Sequence, residues 1–427
     1  MKLVLRNIGL FREASLLIDG ITIIGGENDS GKSTIGKVLF SVIKADNIAR
    51  FNFKVDRKTK VINLLNKIRG FLKIRHDSDD IVQQNLIKLE KEILDFLQRK
   101  MYRNERINVR ASLIRKLDEI AKKYNDPEIL KLISSVKNLL DDDKAFLFSR
   151  KNEFMKQVSY NFKGRIQHFL HESELSEIRL GDIYEITVMN NKCLQFNDKL
   201  PRDSRGRRIR PFIDVTLIES PLIMNLTSFF LSLTSIPDEY KRLIEYPNML
   251  HDVVKKILFP KPNCVISAEA EKLLLKIEKL IEGTFKVENG KIYFLRNDNK
   301  VDIVNVASGI KSLGLIFLLL KHGYIKDFSN LLIVDEPEVH LHPKWHLAYA
   351  KLLVEIYATL RCFIIINTHS PYVAQAIRYF ADEKGCIQNV HMYMAERKGN
   401  YSVLNLIDED TNILFDSLTS PIEDVLL

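Results

Sequence analysis

GENDSGKST, residues 26–34, is the stretch that decides the architecture of this chain. Gly26 and Gly31 bracket four residues, and the apolar run Ile21–Ile24 stands just before them. A buried strand feeding a loop of that length, which then opens a helix, turns backbone N–H groups inward around a phosphate. The anion then sits on a helix N-terminus. In this reading Gly26, Asn28, Asp29, Ser30, Gly31 and Thr34 belong to the phosphate cradle. Lys32 reaches the β- and γ-phosphates, and the Ser33 hydroxyl is placed to ligate Mg²⁺, a hard cation that prefers oxygen.

A phosphate loop needs carboxylates, and LLIVDEPEVHLHP, residues 331–343, supplies them from far along the chain. Leu331–Val334 reads as a central parallel strand, with Asp335 and Glu336 at its carboxyl end, where ligands of open α/β sheets bind. Asp335 is expected to hold Mg²⁺ and Glu336 to polarise the attacking water as general base. Between the two strings, ASGIKSLG (307–314) opens an apolar helical stretch, so Ser308 and Gly309 form a second phosphate-binding helix end. Because the P-loop already cradles one phosphate, these two are expected to serve a nucleotide held by another copy. Farther on, the apolar strand CFIIIN ends in THSP (368–371), which brings His369 to a third strand end of the same sheet as a further catalytic candidate.

The order of P-loop, signature, DEPEVHLHP and THSP resembles the ABC-type ATPase heads of the SMC, RecF and OLD group. Within that group ASGIKS, DEPEVHLHP, THSP and IESPLIMN (218–225) are similar to AAA-type ATPase subunits of prokaryotic antiphage defence, such as those of Septu and PARIS. The resemblance covers about the first forty residues and roughly the last two hundred and twenty. It implies an ATP-sandwich homodimer, or a higher homo-oligomer, in which Gly31, Lys32 and Ser33 of one copy face Ser308 and Gly309 of its mate. It also implies that Glu338, His340 and His342 run along the dimer interface. Two departures stand out. Asp29 replaces a glycine usual in the family, though Asp tolerates left-handed backbone angles better than most residues. Ile310 and Lys311 depart from the usual signature.

His340 and His342 lie two apart with no cysteine nearby, which is not a zinc pattern, and they read as interface or packing residues. The four cysteines are scattered without a CxxC pair, as in proteins of a reducing compartment. No apolar run approaches membrane-spanning length and MKLVLRNIGLFR lacks signal-peptide features, so the expected location is the cytoplasm, away from membranes.

The expected fold is α/β: a P-loop ABC-type head with a parallel core sheet, flanking helices and an antiparallel β subdomain, interrupted by an all-helical insertion. The boundaries read from the sequence are 1–45 for the N-terminal lobe, 46–172 for the insertion and 173–427 for the C-terminal lobe. The insertion has apolar residues at heptad-like steps (Leu86, Leu89, Ile93, Phe96; Ile129, Ile133, Val136, Leu140) broken at HDSDD and YNDPE. That pattern suits a short hairpin or small bundle, not a long coiled-coil arm.

The net charge of +9 favours acidic partners without demanding them. Two basic clusters are candidates for DNA or RNA contact: RKMYRNERINVR (99–110), and PRDSRGRRIRP (201–211) with Arg205, Arg207, Arg208 and Arg210. Fewer than about sixty residues follow THSP, short of a usual domain. A destructive activity is therefore expected on a separate effector subunit, a nuclease. The leading functional expectation is a slow ATPase, with ATP and Mg²⁺ as cofactors, serving as sensor and scaffold of an antiphage complex. The alternatives are a RecF-like DNA-binding ATPase of repair, and a nucleotide-locked platform with negligible turnover.

Overall fold

The computed structural model describes residues 1–75, 80–98, 103–201, 209–234, 247–297, 299–339, 341–408, 413–414 and 416–417. The chain divides into two compact units, one formed by 1–44 with 154–427, the other by 45–153.

The first unit begins with β1 (Lys2–Ile8), β2 (Phe11–Leu17) and β3 (Ile21–Gly26), and the P-loop then opens α1 (Lys32–Arg75). The helical unit adds α2 (Asp80–Gln98), α3 (Arg103–Tyr124), α4 (Pro127–Leu140) and α5 (Asp142–Phe162). After it come β4 (Ser176–Leu180), β5 (Tyr184–Met189), β6 (Lys192–Asp198), β7 (Asp214–Ile218), α6 (Thr227–Thr234), α7 (Asn248–Leu258) and α8 (Ala268–Ile281). The remaining elements are β8 (Thr284–Glu288), β9 (Lys291–Arg296), β10 (Asn299–Asp302), α9 (Ser308–Lys321), β11 (Asn330–Asp335), α10 (Pro343–Leu360), β12 (Phe363–Thr368), α11 (Pro371–Glu383), β13 (Val390–Lys398) and β14 (Tyr401–Leu406).

Among the described residues one sheet runs in the order β6-β5-β4-β1-β2-β14-β13-β3-β12-β11-β7. Its two halves follow from their sequences. β3, β11 and β12 are near-continuous apolar runs, buried on both faces, and they pair in parallel with β13 and β7. β4 and β5 alternate buried and half-buried residues and pair antiparallel with β1 and β6. The antiparallel pair β5–β6 thus extends the large sheet through β4 and β1. A separate three-stranded sheet, β10-β9-β8, contains a tight turn: Asn289 and Gly290 have φ of 49° and 73°, the positive pair that a two-residue hairpin loop requires. The expected parallel core with an antiparallel β part is therefore the architecture of the head.

The helical unit has its own core. Val61, Leu65, Ile68 and Leu72 of α1 join Leu86, Leu89, Ile93 and Phe96 of α2, Leu113 and Leu117 of α3, and Ile129, Ile133, Val136 and Leu140 of α4. Asp126 caps α4 by accepting hydrogen bonds from the backbone N–H groups of Glu128 (2.8 Å) and Ile129 (3.3 Å), with Pro127 in the first turn. Two features differ from the sequence reading. α1 does not end near residue 45 but is 44 residues long and runs on into the second unit as far as Arg75. The compact helical unit also ends at 153 and not at 172, because α5 runs unbroken across that point and leaves no local break to read.

Beneath the amino end of β7 lies a closed ring of four charges. The Lys44 ammonium is 2.6 Å from Asp214 Oδ1 and 2.7 Å from Asp252 Oδ1, while that of Lys256 is 3.0 Å from Asp214 Oδ2 and 2.8 Å from Asp252 Oδ2. Each carboxylate thus bridges both lysines, and Lys256 is only 3% exposed. Burial by itself would raise the Asp214 pKa, but Lys256 and Lys44 outweigh it and hold the carboxyl below the usual carboxylate range. A depressed carboxyl pKa contributes stability that is present above the unfolded value of about 3.9 and is lost as pH falls below it. Asp214→Asn leaves two buried ammonium groups short of a partner and is expected to destabilise the head by about 3–5 kcal/mol at pH 7. That difference should shrink between about pH 4 and pH 3, by up to ~1.4 kcal/mol per pH unit. Denaturation of both proteins across pH 3–7 checks this, and parallel pH curves would refute it.

Candidate functional site

The carboxyl ends of three adjacent parallel strands carry the motifs. Gly25 of β3 pairs with Thr368 of β12, and Asn367 of β12 pairs with Asp335 of β11, so loops far apart in sequence emerge side by side. The P-loop takes its shape from two glycines with positive φ. At Gly26 (φ 143°) a side chain would collide with the Ala395 carbonyl, and at Gly31 (φ 89°) a Cβ would lie 2.9 Å from the Phe11 ring. Asp29, where a glycine is usual, has φ 57°, the left-handed conformation expected of it. Its carboxylate and carbonyl accept hydrogen bonds from Arg397 Nη1 at 2.7 and 3.1 Å. No sequence signal ties Arg397 to this loop.

Inside the loop Ser30 is fully buried and its hydroxyl donates to the Glu27 carbonyl at 2.8 Å. The Lys32 ammonium donates to the carbonyls of Gly26 (2.8 Å) and Glu27 (2.6 Å) and to Ser30 Oγ (3.2 Å). Burial pushes its pKa down to about 8, against the opposing pull of Glu336, Asp335, Glu338 and Glu27. Ser33 and Thr34 follow in the first turn of α1, half-buried.

His369 joins the loop to the carboxylates. Its Nδ1 lies 3.5 Å from Lys32 Nζ and its Nε2 lies 2.9 Å from Glu336 Oε1. An imidazole protonated on Nε2 satisfies both contacts, accepting from the ammonium and donating to the carboxylate. Glu336 itself has φ 48°, a left-handed conformation that costs a non-glycine residue about 1–2 kcal/mol and recurs at functional sites. The bond from its N–H to the Asn367 carbonyl, 2.8 Å, helps to hold it there.

Two residues of this cluster were not singled out as site residues from the sequence. Asn367, fully buried, donates from Nδ2 to Asp335 Oδ1 at 2.9 Å and so fixes the rotation of that carboxylate. The available signal is a polar residue at the penultimate position of an otherwise apolar strand. Glu338 turns inward, onto the Thr368–Ser370 turn of its own chain. His342 accepts a hydrogen bond from the Lys344 N–H (3.3 Å) and caps α10, while His340 lies outside the described residues. Lys37, one turn beyond Ser33, pairs with Glu219 past the carboxyl end of β7 at 3.2 Å.

Ser308 and Gly309 open α9, whose cap residue Ala307 offers no side-chain hydrogen bond. Gly309 lies against Leu341 and Trp345, 3.5 Å from where its Cβ would be, so the signature touches the segment that follows the carboxylates. Of the basic loop, Arg205, Arg207 and Arg208 lie outside the described residues. Arg210 borders a groove of about 950 Å³ that also holds Lys2, Arg6 and Arg179, but Glu13, Asp19 and Asp182 line it too. Such mixed charge gives no single-sign track for a nucleic-acid backbone.

The donor set fits Mg²⁺: the Ser33 hydroxyl and the Asp335 oxygen left free by Asn367 are hard oxygen ligands. No group of three His, Cys, Asp or Glu among the described residues forms a metal cage. The arrangement can bind a triphosphate through the loop and can draw a proton from water at Glu336, which His369 orients.

Similarities to known proteins bear on this cluster. Over 116 residues the chain is 32% identical to the DNA repair protein RecN of Helicobacter pylori, a match that takes in 26% of this chain and 22% of RecN. Over 90 residues it is 33% identical to the Septu protein PtuA of Bacillus thuringiensis, covering 21% of this chain and 22% of PtuA. The chain thus spans about a fifth of the length of these curated relatives. The SMC head domain from Thermotoga maritima aligns with 95% of the chain and 98% of that structure at 10% identity and a TM-score of 0.38. No helix among the described residues is long and apolar enough to cross a membrane. A family model described as an AAA ATPase domain matches residues 1–374, a span that contains the P-loop, both carboxylates and His369, and the chain belongs to that family.

Proposed function

We propose that the chain binds and hydrolyses ATP as an ABC-type head that dimerises around the nucleotide, and that it is the sensor and scaffold subunit of an antiphage complex controlling a separate effector. One observation carries the ATPase reading: Lys32, His369 and Glu336 form a continuous chain of contacts across the ends of β3, β12 and β11. Lys32, with the loop N–H groups, holds the phosphates. Glu336 accepts the proton of the attacking water, and His369 keeps that carboxylate aimed. Ser33 and Asp335 would hold Mg²⁺, which when bound shields the phosphate charge. Ser308 and Gly309, the first two residues of α9, are the groups proposed to reach the partner's nucleotide.

The defence role rests on the similarity to PtuA, and the effector is proposed to be a nuclease on another chain. The similarity to RecN favours a second reading, a DNA-binding ATPase of repair. Purifying the chain with its genomic neighbours separates the two. A co-purifying nuclease whose activity changes with ATP supports the first. ATP-dependent DNA binding by the chain alone, lost with rising salt, supports the second.

Asn367→Ala tests the metal assignment. With its orienting donor gone, Asp335 is expected to need about 10–100-fold more Mg²⁺ for half-maximal ATPase activity. An unchanged Mg²⁺ requirement would remove Asp335 from that role.

A further inference from the structure

We infer that Glu338 is a positioning residue for hydrolysis: its carboxylate holds the Thr368–Ser370 turn so that the His369 imidazole reaches both Lys32 and Glu336. The inference rests on the ATPase reading above and concerns a residue that takes no part in binding the nucleotide.

A single oxygen does the work. Glu338 Oε1 accepts from Thr368 Oγ1 at 2.8 Å, from the His369 N–H at 2.5 Å and from the Ser370 N–H at 3.1 Å. These donors come from three consecutive residues just where β12 ends and α11 begins. Two successive backbone N–H groups aimed at one acceptor fix the peptide planes on both sides of the His369 Cα, and hence the direction in which the imidazole leaves the backbone. The second oxygen, Oε2, is enclosed and takes no hydrogen bond from a described residue, so the carboxylate is committed to this turn. From the other side, His346 Nε2 lies 3.2 Å from the Glu338 carbonyl and 3.2 Å from that of Leu341, which steadies the backbone that carries the carboxylate.

The consequence for chemistry is geometric. The contacts His369 makes, 2.9 Å to Glu336 and 3.5 Å to Lys32, leave little slack, and misplacing a catalytic group by about 1 Å can cost 10²-fold in rate. The phosphate cradle is built from residues 26–34, and the hydrogen bonds of the Glu338 carboxylate go to the turn and not to that loop. Loss of Glu338 should therefore separate turnover from binding.

Glu338→Ala and Glu338→Gln, compared with the full-length wild type, test this with two readouts. Glu338→Ala is expected to lower kcat about 30- to 100-fold while the Kd for ATP stays within about twofold. Glu338→Gln keeps a carbonyl oxygen that can accept all three bonds and is expected to retain turnover within about threefold. Hydrogen exchange of the segment 366–372, read without any turnover, should quicken in Glu338→Ala and stay slow in Glu338→Gln. A kcat unchanged in Glu338→Ala, equal loss in both variants, or unchanged exchange in Glu338→Ala would each overturn the inference. Failure of the ATPase reading looks different: the wild type does not hydrolyse ATP, and the exchange readout alone then decides whether Glu338 holds the turn.

Discussion

Replacing Lys32 with alanine is expected to weaken ATP binding by roughly 10³-fold, about 4 kcal/mol, with little change in fold stability. The ammonium sits at the mouth of the loop, and burial has already pushed its pKa down to about 8 despite four surrounding carboxylates. Its charged form is therefore held against desolvation in the free protein, and a phosphate is the ligand that offsets that cost. Two charge-assisted hydrogen bonds to phosphate, at about 1.5–3 kcal/mol each, account for the size of the effect. The turn is set by the backbone angles of Gly26 and Gly31 and by the Ser30–Glu27 hydrogen bond, which remain when the ammonium's own bonds to Gly26, Glu27 and Ser30 are removed. Calorimetric titration with ATP, paired with a thermal melt, measures both halves of this prediction. Binding close to wild type would overturn the site assignment, and a collapsed melting point would show that Lys32 is structural.

Glu336→Gln is expected to slow hydrolysis 10²- to 10⁴-fold while leaving the Kd for ATP within about twofold. Glutamine keeps the volume of the side chain and can still accept the His369 Nε2–H, but it cannot take a proton from water. A head that closes on ATP and opens after hydrolysis should then accumulate as the closed dimer. Light scattering behind a sizing column should show that dimer with ATP in the variant, and a smaller fraction in the wild type. If both proteins hydrolyse ATP at the same slow rate and assemble alike, the chain is a nucleotide-locked platform and the switch is wrong. The two substitutions are expected to divide the site, Lys32 affecting affinity and Glu336 affecting rate, because one would face the ground-state charge and the other the proton released in the reaction.

Much of this was legible in the chain itself. Local physics sufficed where a motif's function depends on its own backbone. The P-loop needs positive φ at Gly26 and Gly31 whatever surrounds it, and Asp29 adopts the left-handed angle that its residue type tolerates. The uninterrupted apolar runs of β3, β11 and β12 announced buried strands of the core sheet. The apolar period of α2 and α4 likewise marked the faces that form the core of the helical unit. The ends of α1 and α5 escaped notice because a helix that crosses from one unit to the other carries no cap or breaker at the crossing.

Pairings across long sequence distances were another matter. Asp29 with Arg397, Lys44 with Asp214 and Asp252, Asn367 with Asp335 and Glu338 with the Thr368–Ser370 turn are each set by which strands lie side by side. A carboxylate reads the same in sequence whether it faces solvent or a neighbouring turn, since its partner is chosen by sheet order and register and not by its own neighbours in the chain. The sequence by itself determined that there is a triphosphate loop, that a carboxylate strand answers it, and that a helical insertion divides the head. Only the tertiary structure decided that His369 stands between Lys32 and Glu336 and that Glu338 holds it there, because hydrogen-bond geometry exists only once β3, β12 and β11 are in register.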